Sequence, residues 1–181
     1  MEKKTIWDLG RDTVEVFRTK EKLPITLVLD NIRSLNNIGS IFRTSDAFMV
    51  ERIMLCGITA TPPSAEIHKT ALGAEDSVAW EYYPSTAEAI GKLRERDTVV
   101  CVLEQVKGSV ELQQYEPSHG HNYAIVVGHE VEGVDQAIVN MADVCLEIPQ
   151  HGTKHSLNVA VSAGLAIWHF YCKLKCKISN P

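Results

Sequence analysis

The sequence predicts an α/β fold, a mostly parallel β-sheet flanked by helices, in one domain that covers residues 1–181. Short runs of apolar and β-branched residues recur along the chain, and helical patterns separate them, which is typical of layered α/β folds. The runs are apolar at consecutive positions, as expected of strands that are covered on both faces. A chain of 181 residues that is 45% hydrophobic suffices for one full core and is short for two.

Five apolar runs are the predicted strands, at residues 25–32, 52–59, 98–105, 123–130 and 144–149. A helix is predicted after the first strand, and its apolar stripe consists of Ile38, Ile41, Phe42, Ser45 and Met49. A second helix opens with Ser85 and Glu88, which have the spacing of a capping box, and a third is predicted at 133–142.

Both ends of the chain are also predicted to be helical. Residues 1–20 contain an N-terminal helix at about 3–19, which has no preceding strand and docks on the outside or on a partner subunit. The last helix, at about 156–175, is apolar nearly all round in its first half, so we expect it to be buried.

Composition favours a cytoplasmic protein. The formal net charge is -5, so a bulk basic surface for nucleic acid is missing, although a local patch suffices for such a partner. The five cysteines are odd in number and form no CxxC pair, which favours reduced thiols over a disulfide framework. The start of the chain lacks an apolar signal-peptide core, and no apolar run reaches the roughly 18 residues that a membrane span needs.

Several common site motifs are absent. No two of the 11 glycines are spaced GxG, so the dinucleotide-binding fingerprint is absent. Neither GKS nor GKT occurs, so the P-loop motif is absent as well. HEVEG differs from HExxH, which disfavours a zinc-protease site, and no serine lies in GxSxG.

Three segments rich in polar residues and glycine follow predicted strands. They are DNIRSLNNIGSIFRT after the first strand, GHEVEGV after the fourth and PQHGTKHSLN after the fifth. Because ligands of parallel sheets bind beyond the carboxyl ends of the strands, we expect these segments to converge on a functional site.

In the first segment, Asn36, Ser40 and Arg43 share one helix face, opposite the apolar stripe. The helix N-terminus and an arginine fork suit a phosphate, or a ribose with its phosphate. The alternative is that Asn36 or Asn37 caps the helix and that Arg43 pairs with Asp46 on the surface.

In the second segment, Glu130 or Glu132 is placed to orient a hydroxyl group or a cation. The alternative is a strand-to-helix turn in which Gly133 takes a strained conformation and the acids are solvated.

In the third segment, His151 and His155 have metal-ligand spacing, with His129 or Glu130 as a further candidate. Gly152 disfavours the helix that would align the two histidines, so no metal site is predicted.

Ser156 and Asn158 are the other candidates in this segment. A pair of Ser156 and His155 as nucleophile and base is unfavourable, because neighbours on a helix do not face each other, and Ser156 is the predicted N-cap. Asn158 then lies one turn into the helix, where it bonds a neighbouring loop or holds a ligand.

The stretches NNIGSIFRTSDAF, VVGHEVEG and IPQHGTKHSLNVAVSAG resemble the three signature motifs of the SpoU/TrmH branch of the SPOUT methyltransferases. The resemblance covers about residues 27–171. It implies a catalytic core at 25–172, with a deep trefoil knot near 125–170. It also implies transfer of a methyl group from S-adenosylmethionine to a ribose 2′-hydroxyl in tRNA or rRNA. Members of this family are homodimers with the active site formed across the interface.

The resemblance also implies roles for matching residues. The backbone around Gly128, Ile148 and Leu157 would bind S-adenosylmethionine, and Leu103 and Glu104 are candidates for the same pocket.

The implied catalytic residues come from all three segments. Arg43 would position the target ribose and stabilise the developing alkoxide, because an arginine is a poor base. Asn36 would hold Arg43 in place. The residues that would organise the catalytic pocket are Glu130, Ser156 and Asn158.

The chain departs from the family pattern at two positions, with His129 where the family often has Asn and Gln150 where it often has Met. It also carries no separate N-terminal RNA-binding domain and only a short basic tail. A non-catalytic RNA-binding or assembly relative is therefore the alternative function, and a small-molecule methyltransferase is a more remote one.

Overall fold

A computed structural model describes residues 1–5, 8 and 10–175. The strands in these residues are β1 (Leu23–Asp30), β2 (Val50–Cys56), β3 (Ala79–Tyr83), β4 (Thr98–Leu103), β5 (Val110–Glu111), β6 (Asn122–Val127) and β7 (Val144–Glu147). They form one sheet in the order β3-β2-β1-β6-β4-β7-β5, and every neighbouring pair is parallel. The predicted α/β fold with a parallel sheet is confirmed.

Helices cover both faces of the sheet. They are α1 (Val14–Thr19), α2 (Leu35–Ala47), α3 (Ala65–Ala71), α4 (Ala74–Ser77), α5 (Thr86–Arg94), α6 (Gln136–Val139) and α7 (Val159–Lys175), with a short 3-10 turn at Leu112–Gln114. Successive residues of a strand point to opposite faces. Leu27 and Leu29 of β1 accordingly belong to the core on the side of α2 and α7, whereas Val28 packs on the side of α5 and α6.

All five predicted strands are present, and β3 and β5 were missed. Four of the five residues of β3 are polar or aromatic at the edge of the sheet, and three of its positions are exposed, so no apolar run marks it. β5 has only two residues, both half-buried. An edge strand needs only one neighbour and one covered face, which leaves little signal in its sequence.

The prediction for the N-terminal helix was wrong in length. Among the described residues of the segment 1–20, only Val14–Thr19 is helical. Thr13 caps this helix by accepting a hydrogen bond from the N–H of Val16. Positions 6, 7 and 9 lie outside the described residues. The helix is held from its far end, where the Arg18 side chain donates to the carbonyl of Asp76.

The apolar stripe of α2 is confirmed except at its end. Ile38, Ile41, Phe42 and Ser45 are fully buried. Met49 lies beyond the helix, with a φ of 58° in the left-handed region, because the chain turns there into β2.

The last helix begins three residues later than predicted, and it is not buried all round. Val159, Ala163, Ile167 and Phe170 face the core, while Val161, Leu165 and Trp168 remain 51%, 42% and 51% exposed. The knot around this segment stays a prediction from the resemblance. None of the helices described is both long and apolar enough to cross a membrane.

Helices α2 and α7 lie side by side and run in the same direction. Asn37 contacts Asn158 near the start of both helices, with 3.1 Å between the amide nitrogen and oxygen. Phe48 packs edge-on against Trp168 farther along, with 5.3 Å between the ring centroids. The N-termini of both helices therefore lie at the edge of the sheet where the strands end.

Candidate active site

The carboxyl ends of β4, β6 and β7 open into one cleft of about 280 Å³. Its walls come from the residues that follow these three strands and from the start of α7. This is the edge at which parallel sheets bind ligands. The second and third polar segments line the cleft directly, so their predicted convergence is observed.

All five predicted cofactor-binding residues line this cleft: Leu103, Glu104, Gly128, Ile148 and Leu157. Gly128 is required by close packing, because a Cβ atom at this position would lie 2.4 Å from the backbone of Gly133 and Val134. The turn from 129 to 133 is thus pressed against the end of β6, where it forms one wall of the cleft.

Glu104 bonds the protein's own backbone within the cleft. One carboxylate oxygen accepts a hydrogen bond from the N–H of Val134 at 2.9 Å, and the other accepts from the N–H of Gln105 at 2.8 Å. Glu104 therefore fixes the far end of the 129–133 turn, a contact that the sequence did not reveal.

Glu130 ties the second segment to the first. Its carboxylate accepts hydrogen bonds from the N–H groups of Arg33 and Ser34, at 3.1 and 3.0 Å, and from the side-chain amide of Asn37 at 3.0 Å. Partial burial on its own would raise the pKa of Glu130, but these three bonds outweigh it and lower the pKa below its usual value. The carboxylate is therefore held ionised at the start of α2.

Asn37 joins all three segments. Its amide donates to Glu130, and its carbonyl oxygen accepts a hydrogen bond from the side chain of Asn158 at 3.1 Å. Asn158 in turn accepts from the N–H groups of Ala160 and Val161, at 2.9 and 3.4 Å, and so caps α7. Of the two predicted roles of Asn158, a contact with a neighbouring segment is observed, and that segment is α2.

The predicted cap of α7 was wrong, and the alternative cap of α2 is not observed. Asn158 caps α7 in place of Ser156, because residues 156–158 are not helical and Ser156 is an exposed residue that lines the cleft. Ser34, not Asn36 or Asn37, caps α2 by accepting from the N–H of Asn37 at 3.3 Å. The capping function of Ser34 leaves the Asn37 amide free to bridge.

The predicted face of Asn36, Ser40 and Arg43 lies outside the cleft. Asn36 and Arg43 are exposed, and no hydrogen bond joins their side chains in the described chain. The alternative pairing of Arg43 with Asp46 is also absent, since Asp46 accepts instead from the hydroxyl of Ser77. Within residues 10–175 the Arg43 guanidinium has no hydrogen-bond or ion-pair partner, so it is available to a ligand.

The histidines form no metal centre. In the part of the chain that the structure describes, no group of three or more His, Cys, Asp or Glu side chains is placed to hold a metal ion. His155 and Gln150 line the cleft, and His151 is exposed beside it. The Nδ1 atom of His129 accepts hydrogen bonds from the N–H groups of Val131 and Glu132, each at 3.2 Å.

An exposed apolar stripe runs along the first three turns of α7. It consists of Val161, Leu165 and Trp168, which are spaced four and three residues apart and so lie on one face. Trp168 also stacks on Tyr171, with 5.6 Å between the ring centroids. Contiguous exposed apolar residues of this kind are typical of a surface that another protein covers.

The sequence profile of the SpoU rRNA Methylase family matches residues 24–168, a range that includes all three segments. The chain is 28% identical over 153 residues to the 23S rRNA (guanosine-2'-O-)-methyltransferase RlmB of Neisseria meningitidis serogroup B. That alignment covers 84% of this chain but only 60% of the relative, so the chain spans less than two thirds of the relative's length.

Solved structures agree in fold. The SpoU methyltransferase AviRb from Streptomyces viridochromogenes, in complex with AdoMet, superposes with a TM-score of 0.76 at 22% identity, over 93% of this chain and 66% of AviRb. The A. aeolicus TrmH/SpoU tRNA modifying enzyme superposes with a TM-score of 0.78 at 24% identity, over 91% of this chain and 81% of its own. The profile match confirms the resemblance that the three motifs predicted. The chain belongs to the SpoU rRNA Methylase family.

Proposed function

We propose that this protein transfers a methyl group from S-adenosylmethionine to a ribose 2′-hydroxyl of tRNA or rRNA, through a single catalytic domain. The observation that carries the proposal is the convergence of three family motifs on one cleft, joined through Asn37, beside an arginine that has no partner in the described chain. The relatives support the same reaction, since RlmB is named a guanosine 2'-O-methyltransferase and AviRb was crystallised with AdoMet.

The chemistry of the cleft fits this cofactor. Leu103, Ile148 and Leu157 supply apolar surface, and the backbone at Gly128 is bare of side-chain atoms. The cleft is also lined by four carboxylates, those of Glu104, Glu130, Glu132 and Glu147. Negative charge favours a cationic ligand and disfavours nucleotide polyphosphates. S-adenosylmethionine carries a positive sulfonium, which supplies an already activated methyl group when the cofactor is bound.

The proposed role of Arg43 is to bind the target nucleotide. A guanidinium binds phosphate oxygens through two parallel hydrogen bonds, and it stabilises negative charge that develops on the 2′-oxygen. Proton removal by Arg43 is unfavourable because the group stays protonated at any physiological pH. Glu130 and Asn158 fix the start of α2 beside the cleft through Asn37, and Ser156 lines the cleft. Alignment of the two substrates then supplies much of the rate.

We further propose that the protein is a homodimer that completes its site across the interface. Arg43 does not line the cleft of its own chain. It lies six residues beyond Asn37, about 9 Å along α2, on the helix that packs beside α7 and its exposed stripe. A second copy that covers the stripe of Val161, Leu165 and Trp168 would bring its own α2 towards the cleft.

A cytoplasmic location is part of the proposal. Three of the described cysteines, Cys56, Cys101 and Cys145, are free thiols. Free thiols are typical of proteins in a reducing compartment.

The reaction is tested with purified protein, methyl-labelled S-adenosylmethionine and total RNA from cells that lack the protein. We expect labelled 2′-O-methylnucleosides in a tRNA or rRNA fraction. Arg43→Ala should reduce their formation by about 100-fold or more while cofactor affinity is retained. Arg43→Lys keeps the positive charge but lacks the paired N–H groups of the guanidinium, so its rate should lie between those of Arg43→Ala and the unmodified protein.

Lys92→Ala serves as the control, because Lys92 is an exposed cation on the opposite side of the sheet, paired with Glu95. Its methylation rate should match that of the unmodified protein. If the protein binds cofactor but methylates no RNA fraction, the enzymatic proposal fails in favour of a non-catalytic RNA-binding relative.

A further inference from the structure

Within the turn from 129 to 133, the side chain of His129 accepts hydrogen bonds from the backbone of the same turn. Two backbone bonds close the turn, from the N–H of His129 to the carbonyl of Gly133 at 3.1 Å and from the N–H of Gly133 to the carbonyl of His129 at 2.9 Å. Between them, the N–H groups of Val131 and Glu132 both point at Nδ1 of His129, each at 3.2 Å. One ring nitrogen therefore satisfies both free amides of the turn.

These contacts depend on the protonation state of the ring. A backbone N–H group can only donate, so both bonds need an Nδ1 atom that carries no proton. They therefore form with the neutral ring that has its proton on Nε2. A protonated ring would place an N–H at Nδ1 against two other N–H groups, and both hydrogen bonds would be lost.

The middle of the turn depends on this side chain. The ends of the turn are held elsewhere, by Glu130 at the start of α2 and by Glu104 at Val134. At the tip, Val131 is 85% exposed, and in the described chain the amides of Val131 and Glu132 are bonded by His129. Since the whole turn lines the cleft, its conformation sets the shape of that wall.

We propose that His129 is a positioning residue that shapes the cofactor cleft through its neutral imidazole, so that cofactor affinity falls when the ring is protonated. This rests on the proposed function of the cleft as the S-adenosylmethionine site. Histidine side chains in general change charge between about pH 5 and pH 8, which sets the two pH values to compare.

Other charged groups surround the turn. Glu130 and Glu132 lie on the turn itself, Glu104 follows β4, Glu147 ends β7, Arg33 precedes α2, and His155 lies on the loop before α7. His155 is the other histidine among them, so an experiment must separate it from His129.

The test measures the dissociation constant of S-adenosylmethionine by calorimetry at pH 8.0 and pH 5.5. The unmodified protein should bind about tenfold more weakly at pH 5.5. His129→Asn offers an amide oxygen that accepts both hydrogen bonds at either pH, so its affinity should change less than about twofold. His129→Leu should bind weakly at both values, and His155→Asn should retain the loss at pH 5.5.

The proposal is overturned if His129→Asn loses affinity at pH 5.5 as the unmodified protein does, or if the loss disappears in His155→Asn. NMR of the protein without cofactor gives an independent readout. The amide signals of Val131 and Glu132 should shift with the midpoint of the His129 ring and stay constant in His129→Asn. If no cofactor binds at any pH, the proposed function fails, and the amide signals still decide the role of His129 in the turn.

Discussion

At the scale of single residues, Asn37 lies where the three polar segments meet. One amide group donates to Glu130 from the second segment and accepts from Asn158 of the third. Both bonds use the two ends of one rigid group, so they fix the distance between the 129–133 turn and the start of α7.

Asn37→Ala is therefore expected to loosen two contacts at once. We expect the free energy of unfolding to fall by about 1–3 kcal/mol, because Glu130 and Asn158 each lose a partner. The methylation rate should fall by about tenfold or more, because α2 is no longer fixed in position relative to the cleft. Urea unfolding and the methylation assay measure the two effects.

The matched control is Asn122→Ala. Asn122 is an exposed asparagine at the start of β6, far along the strand from the cleft, and its side chain donates only to the carbonyl of Arg96 among described groups. It should leave both quantities nearly unchanged, and an equal loss in both variants would contradict the bridging role of Asn37.

Glu130 gives a prediction about pH. Hydrogen bonds lower its pKa in the folded protein below the usual value. A carboxylate with a lowered folded pKa contributes stability that is present above its unfolded pKa, about 4.3, and that is lost as pH falls through the folded pKa. Glu130→Gln should thus destabilise the protein by about 1 kcal/mol at pH 7, and the difference should shrink below about pH 4.

Urea unfolding at a series of pH values measures this difference. Glu21→Gln, at an exposed glutamate, should show no such pH-dependent gap. A gap for Glu130→Gln that stays constant down to the lowest pH would rule out the carboxylate as its source.

At the scale of elements, α2 packs on α3 with almost no space between them. A Cβ atom at Gly39 would lie 2.1 Å from the hydroxyl oxygen of Thr70 and 2.3 Å from the carbonyl oxygen of Ile67. The Thr70 hydroxyl also donates to the carbonyl of Asn36 at 3.0 Å, which ties the two helices together. This contact keeps the start of α2, and hence Asn37, at its position beside the cleft.

Gly39→Ala is expected to force the two helices apart. Overpacking of this kind costs about 1–3 kcal/mol of unfolding free energy, which thermal or urea unfolding measures. Gly91→Ala on α5 is a matched control, because a Cβ there meets nothing within 4 Å. It should stabilise the protein by about 0.4–1 kcal/mol, and a gain of stability in both variants would contradict the close approach of α2 and α3.

At the scale of the whole molecule, two exposed surface features lie on the adjacent helices α2 and α7. One is the apolar stripe on α7, and the other is the free guanidinium of Arg43 on the adjacent helix. The proposed dimer across this surface would bury the first and supply the second to the cleft of the other copy. In a symmetric dimer the same contact then occurs twice.

A mixed dimer tests this arrangement. Arg43→Ala removes the guanidinium, and Leu157→Glu places a charge in the cofactor cleft. Each variant alone should be inactive. If Arg43 serves the partner's cleft, mixing the two should restore about a quarter of the activity, because half of the dimers are mixed and each has one intact site. If Arg43 served its own cleft, every chain in the mixture would lack a complete site, and no activity would return.

Much of the site was predictable because its residues follow strands in the sequence. The three polar segments begin at the ends of apolar runs, four of the five cofactor candidates and Glu130 lie at those ends, and parallel strands bring such residues to one edge. Asn37 was overlooked in favour of its neighbour Asn36, because two adjacent asparagines look alike until the N-cap is known. Ser34 caps α2, and with the helix starting there the side chain of Asn37 faces Glu130 while Asn36 is exposed.

The sequence by itself determined the α/β class and the positions of the five main strands along the chain, because burial on both faces makes a strand apolar. The resemblance of its three motifs identified the family and the residues that line the cleft. The tertiary structure decided which asparagine bridges, where α7 begins, and that His129 accepts two hydrogen bonds within its turn. These contacts join residues through the orientation of individual side chains, and side-chain orientation depends on the packing of elements that are far apart in the sequence.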